Sequence, residues 1–412
     1  MKRKWMVAWL LTAFGAGAAL VCASGPNPLV GDFESWKNHP VEPFSQGAKN
    51  FEQARDLLLS HFYDDKVTSD QLYEYAVRGM LEGLNRDGHE WNRLYSPSDY
   101  QELETDLAGK ISGVGVEIKS EENGVLNVIG IIPGSPAEKA GIQTGDQILK
   151  IGGKSFKGKQ FRDAVYAIRG QTGEKVSLTW LHDGDVITKS LRRVSVAWSA
   201  VDHVRLPGNI ALLTIKHFVE NTPGELRDAL LDARSANALV LDLRGNAGGL
   251  FDKAVESISM LVPVGTPVGT AIRRGGEKEA IVTRQAPILT GKPIAILIDA
   301  DTACGAEMMT SALKLGAGAI LVGEKTFGKW NSQRIDEFPN HFAIKYTIAE
   351  FQGPKGEQYD GVGLTPDLAV NLATGESIEI VQRLKNTTDR VAHDQPLRAA
   401  MALLNLKQGK PM

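Results

Sequence analysis

Three short, mostly apolar runs constrain the fold of this chain more than any other feature. They are Ile210 to Ile215, Ala238 to Leu243 and Ile294 to Ile298, and a segment with helical spacing of apolar residues lies between the first two. Strands that are apolar on both faces are typical of parallel sheets, because helices cover such sheets on both sides. The pattern therefore predicts an α/β core over residues 197–412.

A cysteine and a lysine follow two predicted strands of that core. The run that ends at Ile298 leads through a polar turn to Cys304, which stands before a predicted helix. The next apolar run, Ala319 to Val322, ends in a glycine-rich segment that carries Lys329. A thiol and an amine at the ends of neighbouring strands are, in outline, a nucleophile with its base.

The same stretch also suggests a phosphate-binding loop and a cysteine–histidine triad. The segment Gly323 to Lys329 fits the pattern of a phosphate-binding loop, but Trp330 stands where such a loop has Ser or Thr, and no helical pattern follows. A cysteine triad with His217 or His341 as base stays open, although nothing in the sequence selects either histidine. No metal or organic cofactor is predicted.

The first 23 residues have the features of a secretory signal peptide. Basic residues follow Met1, an uncharged run extends from Trp5 to Val21, and a small-residue cleavage site ends at Ala23. We therefore predict export to a bacterial periplasm. A retained membrane anchor, which would keep the protein near the membrane, and a lipoprotein lipidated at Cys22 are the alternatives. Without the signal peptide, Cys304 is the only cysteine and has no internal disulfide partner.

Two regions lie between the signal peptide and residue 107. Residues 24–48 are rich in Pro, Gly, Asn and Ser and predict a linker, and residues 49–106 predict an N-terminal helical region with a second helix capped near Ser69. His89 begins an incomplete H-E-x-x-H signature, so we interpret it as a loop residue. The formal net charge of −3 and the lack of a basic stripe argue against a nucleic-acid partner.

Residues 107–196 form a separate module of short strands and two helices. Its most specific phrase is SPAEKAGIQTGDQILKIGGK, and the whole module resembles a PDZ domain. The resemblance implies capture of a protein's C-terminal segment by strand addition at a sheet edge. It also implies that a terminal carboxylate is held by the loop of Gly113, Val114, Gly115 and Val116. A PDZ-like fold with an occluded groove is the alternative.

The motifs of the core fall in the order of a known family. Asp242 to Gly249 reads DLRGNAGG, Thr302 to Glu307 reads TACGAE, and Gly328-Lys329 is followed by Gln333. Together with LVGEKTFGKWNSQ, GVGLTPDLAV and the PDZ module, they resemble the carboxy-terminal processing (tail-specific) proteases, peptidase family S41. The resemblance covers nearly the whole chain. It implies a multidomain α/β fold with N-terminal helices, a PDZ domain and a protease core.

The resemblance also implies roles for particular residues. Lys329 is the general base, Cys304 occupies the place of the nucleophile, and Gln333 supports the lysine. The oxyanion donors implied by the family are backbone N–H groups of Gly305 and of the turn formed by Gly248 and Gly249. This chain departs from the family in two motifs: the family has SASASE where Thr302 to Glu307 reads TACGAE, which puts Cys304 in the place of a serine, and it has Pro where Ala247 stands.

The cysteine changes the expected chemistry of this serine-type family. A helix N-terminus and a neighbouring ammonium both favour a thiolate, so we expect a thiolate–ammonium pair at rest. Against this, sulfur is larger than oxygen, and a site shaped for oxygen can hold it out of line with the substrate. A displacement of the nucleophile by about 1 Å can cost ~100-fold in rate. We favour an active cysteine-type peptidase; an impaired homologue that acts as a PDZ-based binding protein is the alternative. Arg169, at the end of the PDZ helix, is a candidate for a contact with the core.

Overall fold

The structure is a computed structural model that describes residues 46–86, 89–120, 124–156, 161–374, 376–384 and 386–407. The predicted signal peptide and most of the predicted linker lie outside the described residues. Within these ranges, no helix combines the length and the hydropathy needed to cross a membrane.

The N-terminal region contains the two predicted helices and two further elements. In chain order these are α1 (Gln46–His61), α2 (Ser69–Gly83), β1 (Arg93–Tyr95) and α3 (Pro97–Leu107). The cap of α2 is Thr68, one residue before the predicted position, because its hydroxyl accepts from the Gln71 N–H while the Gln71 side chain accepts from the Thr68 N–H. The helix α1 begins at Gln46, before the predicted end of the linker.

The PDZ module is a twisted antiparallel sheet with two helices. Its elements are β2 (Lys110–Gly113), β3 (Val116–Ser120), β4 (Leu126–Ile131), α4 (Pro136–Ala140), β5 (Gln147–Ile151), α5 (Phe161–Ile168), β6 (Lys175–His182), β7 (Asp185–Arg192) and β8 (Val194–Ala197). The strand order is β3-β4-β5-β6-β7, and β2 pairs with β8. The module has its own core, in which Trp180 and Leu178 are fully buried.

The predicted α/β core contains the remaining elements. They are β9 (Val201–Leu206), β10 (Ile210–Ile215), α6 (Thr222–Asp232), β11 (Ala238–Asp242), α7 (Phe251–Ser259), β12 (Pro267–Arg273), β13 (Lys278–Val282), β14 (Ile294–Ile298), α8 (Gly305–Ala317), β15 (Ile320–Gly323), β16 (Asn331–Glu337), β17 (Ala343–Gln352), β18 (Leu368–Ala369), α9 (Ile378–Arg383), α10 (Thr387–His393) and α11 (Gln395–Lys407).

The main sheet confirms the predicted parallel pairing. Its strand order is β18-β15-β14-β11-β10-β9, and every pair is parallel except β9 with β10. Buried apolar residues cover both faces: one cluster includes residues of α6, α7 and α8, and another includes residues of α11. Since β11, β14 and β15 run in the same direction, the segments that follow them meet at one edge of the sheet.

A second, antiparallel sheet lies beside this edge and was only partly predicted. The strand β17 pairs with β16 on one side and with β12 and the N-terminal β1 on the other. The N-terminal region is therefore joined to the protease core through a strand, and β1 brings the residues around Trp91 close to the segment that carries Lys329.

Candidate active site

Cys304 occupies a sharp turn between β14 and α8. Its backbone has φ 57° and ψ −118°, which is uncommon for a residue other than glycine, and its exposed fraction is 1%. Gly305 begins the helix directly after it, and a Cβ there would lie 3.0 Å from the Ala254 Cβ and 3.2 Å from the Phe218 ring. The local packing therefore leaves little room for a side chain at this position. The Gly305 N–H lies beside the thiol.

The carboxylate of Glu307 joins the loop of the cysteine to the loop of the lysine. Its Oε2 accepts from the N–H groups of Cys304 and Lys329, both at 2.9 Å. Its Oε1 accepts from the Gly328 N–H at 2.8 Å and from the Thr326 hydroxyl at 2.5 Å. The side chain is fully buried. Burial raises the pKa of Glu307, whereas the four hydrogen bonds oppose that shift.

Lys329 is held as the sequence analysis expected. Its Nζ donates to Gln333 Oε1 at 2.9 Å, and the Gln333 Nε2 donates to Asn331 Oδ1 at 2.7 Å. Because the amide nitrogen has an acceptor of its own, the amide oxygen is the atom that faces the lysine. The Trp91 ring covers the same ammonium, with its centroid 4.5 Å from Nζ.

The electrostatics contradict the predicted thiolate–ammonium pair. Burial raises the pKa of the Cys304 thiol, and the Lys329 charge offsets this only in part. Burial likewise lowers the pKa of the Lys329 ammonium, against the opposing effects of Cys304, Glu307 and Asp360. Desolvation disfavours the charged form of both groups. Burial therefore favours a neutral thiol over the predicted thiolate and moves the amine toward its neutral form, and the expectation failed because burial was not visible in the sequence.

The two glycines of the Asn246 to Gly249 turn lie against the cysteine. A Cβ at Gly248 would be 2.7 Å from the Cys304 Cβ and 3.0 Å from the Gly305 nitrogen. The Gly248 N–H already donates to Asn246 Oδ1 at 2.8 Å. The Gly249 N–H has no acceptor in the part of the chain that the structure describes. The Gly249 N–H is therefore a candidate donor to a developing negative oxygen.

This site can be compared with known proteins. The sequence model of peptidase family S41 matches residues 209–370, and that of the PDZ domain matches residues 128–181. The carboxy-terminal processing protease CtpA of Bacillus subtilis is 30% identical over 369 residues, which cover 88% of this chain and 76% of that protein. The chain belongs to peptidase family S41.

A solved structure supports the same assignment of the S41 fold. The photosystem II D1 C-terminal processing protease aligns with a TM-score of 0.50 and 26% identity, over 80% of this chain and 94% of that one. The S41 core, the PDZ domain and the N-terminal helices of this chain therefore form the arrangement that the sequence predicted.

The two histidines that remained open as alternative bases have surroundings that do not favour that role. His341 is on an exposed turn, where its Nδ1 is 2.7 Å from Glu337 Oε1. His217 is buried edge-on to Trp198, and burial lowers its pKa to about 4. Lys329 is among the main groups that shift the pKa of Cys304, whereas neither histidine is. Lys329 is accordingly the base that the geometry favours.

Buried charged side chains also hold two loops of the site, the loop that follows β11 and the loop that follows β14. Arg244 lies between two carboxylates, donating from Nη2 to Asp242 Oδ2 at 2.8 Å and to Asp394 Oδ2 at 2.7 Å. The Asp299 carboxylate accepts from the Gly245 N–H at 3.0 Å and from the Thr302 hydroxyl at 2.8 Å. Asp299 therefore links the glycine turn to the segment before the cysteine.

The loop predicted to hold a terminal carboxylate leads into an edge strand of the PDZ sheet. The strand β3 is an edge strand, and Gly113 to Val116 lead into it. The Val114 carbonyl accepts from the Ala137 N–H at 2.9 Å, and the Gly115 carbonyl accepts from the Ile132 N–H at 3.0 Å, so the loop has a fixed shape. A Cβ at Gly115 would lie 2.2 Å from the Ser135 Cβ.

Arg169, the candidate for a contact with the core, forms ion pairs with two carboxylates of α3 in the N-terminal region. Its Nη1 donates to Glu102 Oε1 at 2.6 Å and to Asp106 Oδ2 at 2.8 Å, and the guanidinium is buried. Burial raises the pKa of Asp106 to about 6, although the Arg169 charge opposes the shift. The end of the PDZ helix is thus tied to a helix that packs between the two domains.

Sequence reasoning missed two residues of the S41 site. Glu307 stands three residues after Cys304 at a helix start, which is the spacing of a capping box, so that signal was available. Trp91 had no comparable signal, because it reaches Lys329 only through the pairing of β1 with β17.

Proposed function

We propose that this chain is an active peptidase in which Cys304 is the nucleophile and Lys329 the general base. The observation that carries the proposal is the shared carboxylate of Glu307, which holds the backbone N–H groups of both residues at 2.9 Å. This carboxylate fixes the two loops relative to each other, while Gln333 fixes the amine. Such positioning is what a nucleophile and its base require.

We propose that the reaction starts from a neutral thiol and a neutral amine, the forms that burial favours. As the Cys304 sulfur bonds to the substrate carbonyl carbon, the thiol proton passes to Lys329 Nζ. The carbonyl oxygen becomes negative and accepts from the Gly305 and Gly249 N–H groups. The C–N bond then breaks, and the Lys329 ammonium gives its proton to the leaving amine. Water loses a proton to Lys329 and attacks the thioester, and the thiol leaves with that proton.

We propose that the PDZ domain selects substrates by their C-terminal segment. The edge strand β3 and the fixed loop from Gly113 to Val116 support this role, since a peptide can extend the sheet while its carboxylate meets backbone N–H groups. The test measures the binding of one peptide in two forms, with a free C-terminal carboxylate and with a C-terminal amide. The peptide with the free carboxylate should bind at least tenfold more tightly, and equal binding of the two forms would refute carboxylate capture.

The deciding experiment measures tail-dependent cleavage of an unstructured protein. Cleavage should be lost in Cys304→Ala and Lys329→Ala but kept in Lys325→Ala, which removes an exposed lysine from the same loop. The variant Cys304→Ser asks whether the rest of the site accepts an oxygen nucleophile. Cleavage that survives Cys304→Ala would exclude the proposed nucleophile.

A second candidate is a PDZ-based binding protein with an impaired core. The raised pKa of the buried thiol favours it, because a protonated sulfur is a weak nucleophile. Peptide binding without turnover in reductant, together with cleavage by Cys304→Ser, is the result expected for this candidate. Turnover by the unaltered chain would exclude it.

We also propose export to the periplasm through residues 1–23. The support is the charge, apolar run and cleavage pattern of that segment. Fractionation of cells that express a C-terminally tagged chain would test it. A processed product in the periplasm is expected; an unprocessed product with the membranes would favour the anchored alternative, and a cytoplasmic product would refute export.

A further inference from the structure

A second lysine is buried close to the proposed base. Lys345 lies in β17 with an exposed fraction of 1% and is among the largest fully buried side chains in the described ranges. Lysine is rarely buried so completely, because taking an ammonium out of water is costly. The mechanism above gives this amine no role.

The register of the antiparallel sheet places Lys345 on the side of the catalytic lysine. Thr347 pairs with Gln333 and Lys345 pairs with Ile335. Residues two apart on a strand share a face, so Lys345 points to the same side as Thr347. The Thr347 hydroxyl is 3.3 Å from the Gln333 Nε2, and Gln333 holds Lys329. Lys345 therefore lies on the face of the sheet that also carries Gln333, the glutamine that holds Lys329.

An aromatic ring and a cation lie near Lys345. The Tyr95 ring centroid is 5.7 Å from Lys345 Nζ and 4.9 Å from the Arg93 guanidinium. Burial, together with the charges of Lys329 and Arg93, lowers the pKa of Lys345 to about 7, and the Glu90 charge opposes the shift. The negative groups that act on Lys329 are Cys304, Glu307 and Asp360. The amines therefore repel each other when both are charged.

We propose that Lys345 is a positioning residue that shares a single proton with Lys329 and so keeps the base neutral in part of the molecules near neutral pH. A lysine can be made a better base by a second cationic group beside it. When two such sites interact strongly, their protons are released in steps that belong to the pair. The inference rests on the proposed function, because it concerns the base of that reaction.

The test measures protonation directly and needs no turnover. The full chain is labelled with 13C at the lysine Cε atoms, the Lys329 signal is assigned from Lys329→Met, and its titration is followed by NMR. In Lys345→Met the Lys329 pKa should rise by about one unit or more, because the repulsion is gone. In Lys345→Arg, where the charge is permanent, it should fall. Identical Lys329 titrations in all three chains would overturn the proposal.

Two further measurements separate this proposal from others. The acid limb of the pH–rate profile should move with the Lys329 pKa, in opposite directions for Lys345→Met and Lys345→Arg. A uniform loss of rate at every pH would mean that Lys345 acts through packing alone and would refute the proposal. Lys278→Met, which removes an exposed lysine from β13 of the same sheet, should change neither titration nor profile.

The outcomes also distinguish the two proposals. If no chain cleaves substrate but the Lys329 signal shifts as stated, the proton sharing stands and the peptidase proposal fails. If substrate is cleaved while the titrations coincide, the peptidase proposal stands and the proton sharing fails. Circular dichroism confirms that each variant is folded, and Lys345→Gln replaces Lys345→Met should that variant not fold.

Discussion

The carboxylate of Glu307 offers the sharpest test of how the site is held together. Its two oxygens accept four hydrogen bonds, three from backbone N–H groups and one from the Thr326 hydroxyl. The variant Glu307→Gln has nearly the same shape but replaces one oxygen by an NH₂ group. Two of the four donors would then face a donor instead of an acceptor, in a place with no access to water.

The expected loss of stability follows from the number of donors that lose their acceptor. Each buried donor left without an acceptor costs about 1–3 kcal/mol, so Glu307→Gln should lower the free energy of unfolding by about 2–6 kcal/mol. The rate should fall further than the folded fraction does, because the loops of Cys304 and Lys329 are no longer tied to one group. A shift of about 1 Å between nucleophile and base corresponds to ~100-fold in kcat/KM.

The assay combines urea unfolding with cleavage measured per folded molecule. The matched control is Glu225→Gln, since the Glu225 carboxylate also accepts four hydrogen bonds, from Ala200, Val201, Ser199 and Asn221. We expect the control to lose stability but to keep its rate per folded molecule. If Glu307→Gln changes stability by less than about 1 kcal/mol and rate by less than about threefold, or if both variants lose rate equally, the reasoning about Glu307 is wrong.

Three further predictions concern the surroundings of the site. Gly248→Ala places a Cβ 2.7 Å from that of Cys304 at a φ of 99°, so cleavage should fall by about 100-fold while circular dichroism shows a folded protein. Burial raises the pKa of Asp299 to about 7, so the ionisation of this group makes the fold less stable as pH rises from about 4 to 7. Asp299→Asn should remove this dependence of the unfolding free energy on pH, measured by urea titration. It should also raise the unfolding free energy at pH 8 by up to about 4 kcal/mol. Arg169→Met leaves the buried Asp106 carboxylate without its cation and should cost about 3–5 kcal/mol in thermal unfolding.

The sequence predicted the main sheet because apolar burial on both faces leaves a clear pattern. The runs Ala238 to Leu243 and Ile294 to Ile298 read as strands covered by helices, and they are the central parallel strands β11 and β14. Since parallel strands end at the same edge, Cys304 and Lys329 could be placed near each other without knowing any contact.

The second sheet was harder to predict for a physical reason. The strand β16 reads NSQRIDE, so its pairing depends on backbone hydrogen bonds and leaves almost no apolar periodicity. The contact of Trp91 with Lys329 joins residues from distant parts of the chain, and local patterns carry no information about such pairs. The thiolate expectation failed similarly, because the sign of a pKa shift depends on burial that only the fold reveals.

Burial of both reacting groups also explains how a cysteine fits a site whose family uses serine. A thiolate–ammonium pair needs a polar or partly exposed setting, whereas Cys304 and Lys329 are 1% and 3% exposed. In the mechanism proposed above, the amine is the group whose protonation is tuned, and Cys304 gives up its proton only as it attacks. Under that proposal the sulfur is activated in the same way as a hydroxyl. The pH dependence of cleavage should consequently follow the lysine pair and not the thiol, which distinguishes this arrangement from cysteine peptidases that work through a preformed ion pair.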